Sequence, residues 1–152
     1  MRAHELISEL FEPETAFPFE WEFFGTTIVA VAHDRQGREL NITFADWNNG
    51  MVDIDFDRGG SIGITGDGDA HRVMATVLSV ILQYINMRSP DYAIFSSAEP
   101  SRTRMYASIV RRLSAKYGYQ QITMDQLPPA ISASEVHNST SGSHKVFLLK
   151  RI

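Results

Sequence analysis

Ile62-Gly63-Ile64-Thr65-Gly66-Asp67-Gly68-Asp69-Ala70-His71-Arg72 joins a strand pattern to the most apolar helical stretch of the chain, and the reading of this junction decides the fold. Glycines at the start of a helix let bare backbone N–H groups approach an anion, and the helix dipole adds positive potential there. On that reading Gly66, Asp67, Gly68, Asp69 and Ala70 form a phosphate cradle, with His71 or Arg72 offsetting the two carboxylates. The same residues also make an ordinary strand-to-helix turn with Asp69 as N-cap, because carboxylates near a helix N-terminus are common caps and repel a phosphate. The loop alone leaves both readings open.

Upstream, Met51-Val52-Asp53-Ile54-Asp55-Phe56-Asp57 sets Val52, Ile54 and Phe56 on one face of a strand and three aspartates on the other. A turn at Asn48-Asn49-Gly50 precedes it. Before that, TTIVAVAH and ELNITFAD flank the polar turn DRQGR around Gly37, which predicts a hairpin. FPFEWEFF alternates Phe17, Phe19, Trp21 and Phe23 against Pro18, Glu20 and Glu22, the pattern of a half-buried first strand. These runs predict an antiparallel meander with one wet face. Residues 1–16 are a lead-in with a short amphipathic helix around Ala3 to Phe11.

Downstream, Asp69 to Met87 is apolar at Val73, Met74, Val77, Leu78, Val80, Ile81, Leu82 and Ile85, so nearly every side of this helix is covered. Ser89-Pro90 ends it, and YAIFSS supplies a buried strand. Pro100 and Ser101 open a second helix, on which Tyr106, Ile109, Val110, Leu113 and Tyr117 recur at helical spacing until Gly118. Arg102, Arg104, Arg111, Arg112 and Lys116 are assigned to its outer side, read first as a solvated face and alternatively as the seat of an anionic partner. YQQITM and KVFLLKR read as two closing strands. Residues 125–144 between them are rich in Ser, Pro and Gly and are expected to form a mobile loop.

At 152 residues the chain suits one domain, and 43% hydrophobic with 21% charged residues is a soluble globular balance. Cysteine is absent, which excludes disulfides, thiolate zinc and cysteine catalysis. A net charge of −4 gives no drive toward nucleic acid. The five histidines show no ligand spacing, so no metal site is expected. With no signal-peptide pattern and no apolar run of membrane length, the expected location is the cytoplasm.

A meander, a glycine loop opening a helix, a strand, a second helix and two closing strands resembles the GNAT family of N-acetyltransferases, an α/β (α+β) fold on a mixed sheet. Gly63-Ile64-Thr65-Gly66-Asp67-Gly68 is similar to that family's coenzyme A loop at its two small positions, with Gly63 in place of Arg or Gln. Met105-Tyr106 matches its Leu-Tyr, and Gly118-Tyr119 resembles its Gly-Phe stop, eight residues later than usual. Glu99 and Arg102 stand where the family has Asn and Ala. The two helices that family members insert between their first strands have no room in FPFEWEFFGTTIVAV. A looser likeness joins the chain to tailed-phage proteins that share GDAxRVxATV, which would put it in a virion or a host cytoplasm.

The resemblance implies two alternatives. In one, the chain is an acyl-coenzyme A-dependent N-acyltransferase: acetyl-CoA lies on the backbone of Gly66 to Ala70 near Arg72, and Tyr106 is the general acid that protonates the departing thiolate. In the other, the fold is kept as a binding or structural protein, Tyr106 is a core residue with its hydroxyl at the rim, and a protein partner or a second copy meets the acidic meander. The sequence favours the second by three departures: Gly63, the crowding by Asp67 and Asp69, and Glu99. Asp53, Asp55 and Asp57 are read as a solvated strand face, with a general base for an amine or a weak divalent-cation site through their oxygens as the alternatives.

Overall fold

The computed structural model describes residues 16–58, 70–97, 100–131, 136 and 145–152. The expected N-terminal helix, Gly63, Gly66, Asp67, Gly68, Asp69 and Glu99 lie outside these residues. Among the described residues, seven strands, β1 (Phe19–Phe24), β2 (Thr27–His33), β3 (Glu39–Asp46), β4 (Met51–Arg58), β5 (Tyr92–Ser97), β6 (Tyr119–Ile122) and β7 (Lys145–Arg151), accompany two α-helices, α1 (Ala70–Arg88) and α2 (Pro100–Lys116). They form one sheet in the order β1-β2-β3-β4-β5-β7-β6. Only β4 and β5 pair in parallel, and every other neighbouring pair is antiparallel. The single parallel join is the one that needs a long crossover, which α1 supplies. The class is the mixed α+β architecture read from the sequence.

Alternation fixes which face of the meander is buried. Ile28, Ala30 and Ala32 of β2, Leu40, Ile42 and Phe44 of β3, and Val52, Ile54 and Phe56 of β4 form one apolar face. Both helices bury their stripes in the same cluster, α1 through Val73, Val77, Val80, Ile81 and Tyr84, and α2 through Met105, Tyr106, Ile109 and Leu113. Each fully buried side chain of this kind contributes roughly 1.5–3 kcal/mol of transfer free energy, so this layer dominates stability. Helix α1 ends where Ser89 turns to φ +43° ahead of Pro90, and α2 is followed by Gly118 at φ +76°.

A smaller cluster covers the opposite face at the other end of the sheet. Met51, Ile94, Ile122 and Leu148 pack there against Ile131 and Val136, with Leu127 partly buried beside them. Composition alone reads residues 125–144 as loop, yet Ile131 and Val136 are buried. Three apolar residues scattered through a Ser- and Pro-rich stretch carry no periodicity, so their packing leaves no pattern to read. Residues 132–135 and 137–144 lie outside the described set.

Candidate functional site

Strands β4 and β5 pair only from Met51 and Tyr92 to Ile54 and Phe95. Beyond Ile54 they part, and two side chains of α2 fill the parting. The Tyr106 ring lies 5.2 Å from the Phe95 ring, and its hydroxyl donates to Asp55 Oδ1 at 3.3 Å. The Tyr106 hydroxyl oxygen also accepts from the Phe56 backbone N–H, so the phenol replaces the strand partner that β5 no longer offers. Arg102, one helical turn before Tyr106, donates from Nη1 to the same carboxylate oxygen at 2.9 Å. Asp55 belongs by alternation to the face opposite α2, so both contacts pass through the parting.

The burial of these groups is uneven. Tyr106 is fully buried. The Arg102 side chain is 11% exposed, the Asp55 side chain 56%. Arg102 Nε is buried and has no hydrogen-bond partner among the described residues. Burial first, and the Asp55 charge second, push the Tyr106 phenol well above the ordinary tyrosine range. Asp53, two residues before Asp55 on the same face, is raised to about 6, again by burial first and by Asp55 second. The arrangement holds a neutral phenol and a carboxylate–guanidinium pair in place, and it offers no open phenol.

Of the residues singled out in the sequence, the structure brings Tyr106 and Asp55 into contact, with Asp53 beside Asp55 on the same strand face. Arg72 is engaged elsewhere: its guanidinium carbon lies 4.2 Å from the centre of the Phe17 ring, while its carbonyl accepts from Thr76 Oγ1. Ala70 is the first residue of α1, and His71 is exposed. The rest of the candidate phosphate loop, Gly66 to Asp69, lies outside the described residues. Among the described residues, no cluster of His, Asp and Glu can hold a metal ion, and no helix is long and apolar enough to cross a membrane.

Arg102 is a correction. Charge alone places the basic residues of α2 on an outer side, and Arg104, Arg111 and Lys116 are exposed there, but Arg102 is buried. The signal was present in the spacing: 102, 106, 109 and 113 recur at i, i+4, i+7 and i+11, one helical stripe. A cation on a buried stripe requires a carboxylate, and Asp55 of β4 supplies it.

Register completes the acidic face. Asp57, Asn41, Val31 and Glu20 form one row across the meander, Asp55, Thr43, Val29 and Glu22 the next, and Asp53, Ala45, Thr27 and Phe24 the third. No basic side chain stands in these rows.

Residues 26–126, more than half of the chain, match the model of DUF6934, a family of unknown function, and the chain belongs to that family. No curated protein and no solved structure matches it.

Proposed function

We propose that this member of the DUF6934 family is a GNAT-like protein that does not transfer acyl groups and works as a binding module, its acidic meander face meeting a basic protein. One observation carries the reading. The parting of β4 and β5, where the resemblance would seat an acyl donor beside its general acid, is filled by the buried Tyr106 and the Arg102–Asp55 pair. The phenol has no exposed surface through which to reach a departing thiolate, and its raised pKa keeps its proton in place. The residues at the parting therefore do not fit an acyl-CoA arm. Glu20, Glu22, Asp53 and Asp57, with Asp55 paired to Arg102 through the parting, lie in meander rows that hold no basic side chain among the described residues, and they supply the attraction for a basic partner.

The second reading, an N-acyltransferase using acetyl-CoA, draws on the sheet order, the single parallel pair and the position of Tyr106 at its parting. Calorimetric titration with acetyl-CoA separates the two. The binding module gives no saturable heat. Saturable binding near micromolar concentration, lost in Gly66→Val with an unchanged circular dichroism spectrum, would overturn it.

A further inference from the structure

We infer that the outer edge of β1 is the docking line for an extended segment of a partner protein in which basic and apolar residues alternate. The inference rests on the binding-module reading and names the partner's chemistry. β1 stands at one end of the sheet order, and among the described residues no strand pairs with its outer side. Its loop to β2 has two residues, Gly25 and Thr26, with Gly25 at φ +62°, and Phe24 pairs with Thr27 across it. In such a hairpin the closing pair is hydrogen-bonded, so the alternate residues Phe19, Trp21 and Phe23 turn their N–H and C=O groups outward. These are the groups an added strand would bond.

The side chains set the sequence such a strand must have. On one face β1 presents Phe19, Trp21 and Phe23, on the other Glu20, Glu22 and Phe24. Phe23 and Phe24 are 64% and 60% exposed, so each face of the incoming strand meets an aromatic ring at the hairpin end. An apolar side chain opposite the aromatic row and a lysine or arginine opposite the two glutamates satisfy both faces.

A second copy does not. Antiparallel pairing of two β1 edges centred on Glu20, Trp21 or Glu22 sets glutamate opposite glutamate, which is destabilising, and registers that slide past this keep fewer pairs. Glutamates on an otherwise aromatic edge thus discourage self-pairing while admitting a basic strand.

The test uses a labelled synthetic peptide of alternating lysine and valine, and a control with the same residues in two blocks, read by fluorescence anisotropy. The alternating peptide is expected to bind saturably, at least about tenfold more tightly than the block peptide, and to weaken as salt is raised. Phe23→Pro, which removes an outward donor and no hairpin bond, should lower affinity about tenfold, and Glu20→Lys with Glu22→Lys should abolish binding. Asp57→Lys, on the acidic face but three strands from the edge, removes part of the attraction and should weaken binding less than the Glu20→Lys, Glu22→Lys pair does. Methylating alternate peptide nitrogens tests the same ladder without altering the protein. Equal binding of the block peptide, or full binding to Phe23→Pro and to the methylated peptide, overturns the edge. Loss in Asp57→Lys with full binding to Phe23→Pro moves the site to the acidic face and leaves the binding module standing. If the wild type binds neither peptide, both readings fall.

Discussion

The Tyr106 hydroxyl donates to Asp55 Oδ1 across 3.3 Å while accepting from the Phe56 N–H, a donor that β5 has ceased to reach. A residue expected as a catalytic acid or a core tyrosine is here the closure of a strand parting. Tyr106→Phe removes the hydroxyl and leaves the Phe56 N–H buried without a partner, which costs about 1–3 kcal/mol. Urea unfolding should show a lower midpoint with an unchanged slope. Partner binding at the β1 edge should be unaffected, because Tyr106 is itself buried and its exposed contact, Asp55, stands on β4, three strands from β1.

Asp55 and Arg102 should respond unequally. Asp55→Asn leaves a guanidinium charge nine-tenths buried with no counter-charge, whereas Arg102→Met removes that charge, and with it the unpartnered Nε, leaving a carboxylate already half in water. The expected losses are about 2 kcal/mol for Asp55→Asn and under about 1 kcal/mol for Arg102→Met. Equal losses in denaturant titrations would mean that the pair acts as an exposed salt bridge.

The elements were legible because their signals are local. Alternation in MVDIDFD, the Gly37 turn and the apolar stripes of both helices each occupy a few adjacent residues, and strands β2 to β4 follow them closely. The site was not legible in the same way. Asp55 and Arg102 are 47 positions apart, and their contact depends on where β4 and β5 stop pairing, which no residue pattern marks. The stripe position of Arg102 was the one available hint, and it was obscured by the other basic residues of the same helix.

Two glycines in turns should differ. Gly37 and Gly50 both adopt positive φ, +77° and +92°, so any side chain strains the backbone at either. A Cβ at Gly37 meets nothing within 4 Å, but at Gly50 it would lie 3.2 Å from Asp91 Oδ2, beside the Gly50 carbonyl that accepts from the Tyr92 N–H. Gly37→Ala is therefore expected to cost the strain alone, about 1 kcal/mol, and Gly50→Ala about 2 kcal/mol or more. Thermal unfolding of the two variants gives the order directly.

Asp53 should make stability depend on pH in a direction unusual for a carboxylate. Its pKa is raised from 3.8 to about 6 in the folded protein, so the folded chain holds this proton more tightly than the unfolded one. The contribution of the protonated form is fully present below about pH 4 and is lost as the pH rises through about 6. Asp53→Asn keeps the shape and removes the titration. Against this variant the wild-type urea midpoint should fall across that window and stay lower at neutral pH, other carboxylates cancelling in the difference. A constant difference would place the carboxyl in an environment like that of the unfolded chain. Burial is the larger cause and the Asp55 charge the smaller, so in an Asp55→Asn background the window should move down only in part. A complete return to ordinary carboxylate titration would show that the charge, not the burial, holds the proton.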